Sequence, residues 1–195
     1  MAQAKLWAAV AVPIIVQSCW RGAAIYRVED EQHPACVLLD RTCGIDWLVE
    51  YRGLVKGLSV RCQARRWERK ATFTIRDQRI GRGYSCDSEL EKTIEAERTG
   101  AITAAYQLHA YMDVDEGPAD AVVRWGLAKR VALFQWIKEH PEQCGSSQTQ
   151  DYRRQQIQTF PYVRFSVLPT TILVASYPAI NRQGRDTLAT IAGPR

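Results

Sequence analysis

Several common chemistries have no foothold in this chain. Its six cysteines (Cys19, Cys36, Cys43, Cys62, Cys86 and Cys144) form no CxxC pair and fit no disulfide-framework spacing, so reduced thiols and a cytoplasmic setting are expected. His33, Cys36 and Cys43 match no recurrent zinc spacing. Histidine is scarce: His33, His109 and His140 lie far apart, and no Ser-His-Asp or Cys-His arrangement is supported by spacing. His109 sits inside an apolar stretch, which suits a satisfied core group better than a base. The apolar segment over residues 6–16 is too short to cross a bilayer, and no clean small-residue cleavage site follows it. Neither a membrane span nor a signal peptide is therefore expected. There is no internal repeat, and no linker divides the chain.

What is present suffices for one domain. With 195 residues, 46% apolar and 24% charged, the chain can bury a real core. Residues 1–180 are expected to form it, with residues 181–195 as a flexible tail. The net charge of +5 permits a nucleic-acid or other anionic partner without requiring one.

Taken in order, residues 3–20 read as a buried helix that kinks at Pro13 or starts near it. Residues 23–28 read as a strand or an extended link, and residues 36–39 as a short strand. A hairpin follows, with Trp47, Leu48 and Val49 on its first strand and Leu58 and Val60 on its second. Arg52-Gly53 forms its turn, since glycine accepts positive φ. Ala64-Arg65-Arg66-Trp67-Glu68-Arg69-Lys70 reads as a basic connection, and residues 71–76 alternate as a third strand. Ser88-Glu89-Leu90-Glu91 has the form of a capping box, so a helix should run from there to about Arg98 and stop at Gly100. Residues 102–112 read as a strand, residues 128–140 as a helix with Val131, Phe134 and Ile137 inward, and residues 142–158 as polar loop. Residues 162–168 and 171–177 are final strands. The sum is an α/β single domain: a mixed central sheet flanked by helices.

The chemistry concentrates on the hairpin. Asp46 opens its first strand, and Ser59, Arg61 and Gln63 alternate along the second, so their side chains share one face. Cys62 points the other way, into packing.

This order, with Gly44-Ile45-Asp46-Trp47-Leu48-Val49-Glu50 followed by Gly57-Leu58-Ser59-Val60-Arg61-Cys62-Gln63, resembles the PD-(D/E)xK, or restriction-endonuclease-like, nuclease superfamily over about residues 1–140. The resemblance implies a restriction-endonuclease-like fold and a metal-dependent nuclease that hydrolyses phosphodiester bonds, with DNA ahead of RNA. It places Asp46 as the metal-binding aspartate, Ser59 where the family carries Glu or Gln, and Arg61 where it carries Lys. Mg²⁺ would be the cofactor, with Glu50 (or Glu29 or Asp40) as a second ligand. Glu50 lies four residues from Asp46 on the same strand face, roughly 13 Å away at strand rise. The segment over residues 3–20 holds no Asp or Glu, so the helical acid that often completes the family's site is missing. Serine is a poor substitute for a carboxylate ligand, and arginine stays protonated and cannot act as a base.

Arg61, Arg65, Arg66, Arg69, Lys70, Arg76, Arg79 and Arg82 crowd the region after the hairpin. With Trp67 and Tyr84 among them, this run suits contact with a phosphate backbone, though a charge run is more often a solvated face. Two functions are thus expected. One is a nuclease in which Asp46 holds metal, Arg61 steadies phosphate, and Gln63 or Ser59 positions. The other is a catalytically inactive nuclease-fold module that binds nucleic acid or a protein partner, or assembles with its own copies.

Overall fold

The computed structural model describes residues 2–28, 33–76, 79–81, 84–86, 88–113, 121–151 and 156–178. The chain opens with helix α1 (Ala2–Cys19), then strand β1 (Ala24–Arg27), helix α2 (Pro34–Arg41), and strands β2 (Trp47–Tyr51) and β3 (Leu54–Ala64). A 3-10 helix (Arg65–Lys70) leads to β4 (Thr72–Thr74), β5 (Arg79–Gly81) and β6 (Tyr84–Cys86). Helix α3 (Glu89–Thr99), β7 (Tyr106–Met112), β8 (Val122–Lys129) and α4 (Arg130–Glu139) follow. The last strands are β9 (Gly145–Asp151), β10 (Gln156–Arg164) and β11 (Leu173–Tyr177).

Two sheets result. The central one has six strands in the order β1-β2-β3-β7-β8-β11 and is mixed: β3 and β7 run parallel while its other neighbours are antiparallel. A parallel neighbour demands a crossover, and that crossover carries α3 together with the first strands of a second sheet. The second sheet runs β4-β10-β5-β6, with β9 also paired to β10.

Each face of the central sheet has its own core. On one, α1 buries Ala8, Ala11, Val12, Ile15, Val16 and Cys19 against Leu58 and Cys62 of β3 and Leu108, Ala110 and Met112 of β7. The spacing of those α1 residues is one helical stripe, which is why an Ala- and Val-rich segment becomes a docked helix here. The helix runs through Pro13, which lies on its exposed side, and does not begin there. On the other face, Tyr111 and Ala128 meet α4 and the second sheet through Phe73, Phe134, Val163 and Phe165.

The β2–β3 hairpin turns at Arg52 and Gly53, as the sequence indicates, with φ of 53° and 76°. Two successive left-handed residues give the turn whose twist matches the strands. Ser88 caps α3 by accepting the Glu91 N–H at 2.9 Å, and Gly100 closes it at φ 68°. Both helix-end signals are obeyed.

Five expectations need correction. Residues 36–39 are helical, inside α2, because His33 caps that helix by accepting the Ala35 N–H and Pro34 presets its first turn. Residues 72–74 form a strand, but β4 belongs to the second sheet and pairs with β10. The helix expected from residue 128 starts at Arg130, and the residues before it form β8. Its inward residues are Leu133, Phe134, Trp136 and Ile137, with Val131 only half-buried. Residues 142–158, expected as loop, contain β9 and the start of β10: cross-strand pairing, not side-chain propensity, makes Gly-Ser-Ser-Gln-Thr-Gln-Asp extended. Finally, the strand expected over residues 162–168 ends at Arg164 and gives way to a 3-10 turn (Phe165–Val167). The expected tail, residues 181–195, lies outside the described residues. Among the described residues, no helix is long and apolar enough to cross a membrane. Cys19, Cys36, Cys43, Cys62 and Cys144 are free thiols.

Candidate functional site

Asp46 sits one residue before β2 and is fixed by three bonds. Its N–H donates to the Leu58 carbonyl at 3.0 Å, and its own carbonyl accepts the Val28 N–H at 2.9 Å. Its Oδ2 accepts the Val60 N–H at 2.6 Å, so the carboxylate is pinned to the backbone between Ser59 and Arg61. The polar face of β3 is as expected: Leu58 and Cys62 enter the α1 core, while Ser59, Arg61 and Gln63 point the other way. In the parallel register these three lie beside Gln107, His109 and Tyr111 of β7.

Around Asp46 the molecule opens into a cleft of about 760 Å³, bounded by the α2–β2 loop, β3, the end of β4 and one side of α3. Asp46, Ser59, Arg61 and Arg76 line it together. Gln63 and Glu50 are not among its lining residues. Glu50 is exposed farther along β2 and accepts a bond from the Tyr26 hydroxyl at 3.3 Å.

The other basic positions are elsewhere. Arg65, Arg66, Arg69 and Lys70 are exposed on the 3-10 helix, where Arg65 is ion-paired with Asp113 and Glu68. Arg79 lies in β5, its side chain outside the described residues, as is Arg82 altogether.

Arg61 is the central cation. Its Nη1 donates to the Thr74 carbonyl at 2.7 Å, which ties β3 to the second sheet. Burial pushes its pKa down, with Glu89 and Asp46 opposing and Arg76 adding to the shift. A guanidinium starts so high that it remains charged at neutral pH. The result is a fixed, half-buried positive charge at the cleft wall.

The cleft also gathers Asp40, one of the alternative second ligands, and residues that the sequence does not single out for the site: Lys5, Arg41, Lys92 and Arg130 as cations, Glu89 as an acid, and Gln107. Arg130 is the most informative. It is 2% exposed and binds four groups. Its Nη2 donates to Glu89 Oε1 at 2.8 Å, its Nη1 to Gln107 Oε1 and the Gly44 carbonyl at 3.3 Å, and its Nε to Thr93 Oγ1 at 3.3 Å. Gly44, at φ 62°, allows this approach, since an added Cβ would stand 3.0 Å from Nη2. The capping box places Glu89 at the start of α3; nothing local says that an arginine 41 residues later meets it.

His109 is fully buried, its Nδ1 accepting the Thr74 N–H at 3.3 Å and its ring stacked on Tyr111 at 5.1 Å. It is a core histidine, as its apolar stretch suggests, but not a satisfied one: its buried Nε2 has no hydrogen-bond partner. Burial, helped by the Arg61 charge, lowers its pKa well below the ordinary 6.5. The unfolded chain therefore binds a proton first as pH falls through 6.5, so this group contributes stability that is present above that value and lost below it. Thermal or denaturant unfolding is expected to lose up to about 1.4 kcal/mol per pH unit between pH 6.5 and about 5, before carboxylates titrate. His109→Gln should flatten that interval; an unchanged slope would assign the loss to other groups.

A Mg²⁺ ion needs a set of oxygen ligands. Among the described residues, no group of three or more His, Cys, Asp and Glu side chains is placed to hold a metal. Glu50, the expected second ligand, is not in the cleft, and Glu89, which is, has one carboxylate oxygen on Arg130. Ser59 lines the cleft where the resemblance calls for a second carboxylate, and Arg61 where it calls for Lys. The donor set therefore does not fit the two-carboxylate arrangement. No protein-family model, curated protein or solved structure matches this chain.

Proposed function

We propose that this chain is a restriction-endonuclease-like module that holds the phosphate backbone of nucleic acid in the Asp46–Arg61 cleft and does not depend on a metal to do so. In favour of that reading, α1, the β2–β3 hairpin, α3 and β7 parallel to β3 occur in the order that the sequence resemblance implies; α2 between β1 and β2, and β4 in the second sheet, depart from it. The observation that carries the function is the charge of the cleft. Lys5, Arg41, Arg61, Arg76, Lys92 and Arg130 line it against Asp40, Asp46 and Glu89, and Glu89 is already paired to Arg130. A concave wall with that surplus focuses positive potential where a phosphate would lie.

Binding of a labelled oligonucleotide, followed by anisotropy, is expected to persist in excess chelator. Loss of binding on chelation would contradict the reading. A second reading, metal-dependent phosphodiester hydrolysis with Mg²⁺ at Asp46, keeps the activity that the resemblance implies; Asp40, Asp46 and Glu89 line one cleft but are not grouped to hold a metal. Mg²⁺-dependent cleavage by the wild type, abolished in Asp46→Ala, would establish it in place of the first.

A further inference from the structure

Cations and aromatic rings are interspersed between Arg61 of the cleft and the 3-10 helix. Arg61 lies over the Phe160 ring at 5.3 Å. Phe160 and Tyr162 are two apart on β10 and so share a face. Tyr162 pairs with Thr74, which lines the cleft, while Val163 and Phe73, on the opposite face, are buried. The Lys70 ammonium stands 5.7 Å from the Tyr162 ring and 4.9 Å from the Trp67 ring, and Arg66 lies over Trp67 at 5.8 Å. Trp67 is 44% exposed, high for a side chain of its size. Tyr162 is held flat by Gly145, the residue opposite it on β9, where any Cβ would overlap the ring.

A duplex offers a protein phosphates and groove edges, but keeps its base faces stacked inside. A single strand offers phosphates and base faces together, and aromatic rings spaced among cations match both. We propose that Phe160, Tyr162 and Trp67 form a stacking track for a single-stranded polynucleotide whose backbone is held by Arg61, Lys70 and Arg66. The inference rests on the nucleic-acid reading above and narrows its ligand class. Stacking tolerates any base, so sequence preference along the track is weak. DNA and RNA share this chemistry.

The test titrates the full chain, in chelator and at one salt concentration, into labelled (dT)20, (U)20 and a 20-base-pair duplex, and repeats it for Trp67→Ala, Trp67→Phe and Tyr162→Ala. The single strands are expected to bind more tightly than the duplex. Trp67→Ala and Tyr162→Ala should each weaken single-strand binding about tenfold, with duplex binding unmoved and Trp67→Phe close to wild type. The (dT)20 and (U)20 arms decide which sugar is preferred. Equal or tighter binding of the duplex, or single-strand affinity indifferent to Trp67→Ala, would overturn the track while leaving the charged cleft in place. No binding to any of the three would overturn both.

Discussion

Arg130→Met is expected to destabilise the protein by about 3–5 kcal/mol, read as a fall in the denaturant midpoint. A buried guanidinium bonded on every side costs little while its partners stay, and much when one side of the pair is removed. Here the four partners come from three places: Glu89 and Thr93 on α3, Gln107 on β7, and the Gly44 carbonyl before β2. Deleting the guanidinium leaves Gln107, which is 5% exposed, without its donor and frees α3 from the sheet at the cleft wall. Arg130→Lys should recover only a small part, because a single ammonium cannot reproduce a planar fork serving four acceptors. Glu89→Gln keeps an acceptor on a partly exposed side chain and should cost far less than Arg130→Met. A double-mutant cycle between the two would show coupling if Arg130 is anchored through Glu89. Equal stability of Arg130→Met and wild type would mean that the cleft wall does not depend on this crosslink.

Arg61→Gln is the second large effect, and it falls on binding. Loss of one cation in contact with phosphate should weaken oligonucleotide affinity by about 10–100-fold and lower the slope of log affinity against log salt by about one. Arg61→Lys keeps the charge and should retain most of that slope while losing the bond to Thr74. Arg61→Gln also removes the charge that helps depress His109, which brings the folded pKa of that imidazole closer to 6.5, so the loss of stability on acidification should be smaller than in the wild type. A purely structural arginine would change stability but leave the salt slope as it was.

How far the residues disclose this arrangement depends on the range over which each signal acts. The hairpin at Arg52-Gly53, the caps at Ser88 and Gly100, and the polar face of Ser59, Arg61 and Gln63 are local, set by φ preferences, capping bonds and the two-residue period of a strand. All are legible. Asp46 and Arg61 are read correctly as cleft neighbours because a hairpin makes neighbours of them. Gln63 shares their face but lies beyond the cleft, since a face is longer than a site. The wrong strand over residues 36–39 comes from weighing four apolar residues above His33 and Pro34, which start a helix. The second sheet is not legible because β9 and β10 owe their shape to each other. Arg130 and Glu89 are 41 positions apart, and only the packing of α4 against α3 joins them. A buried charge following the apolar strand of β8 is the one local sign that Arg130 has a partner.

The central claim is that the Asp46–Arg61 cleft binds a polynucleotide backbone through charge, with no metal required. Its most direct test is the affinity of the full chain for one oligonucleotide across a salt series, measured once in excess chelator and once in Mg²⁺. The account predicts a linear fall of log affinity with log salt, with a slope of several charges, in chelator. With Mg²⁺ present, binding should be no tighter at any salt. A flat salt dependence, or binding that appears only with Mg²⁺, would contradict it.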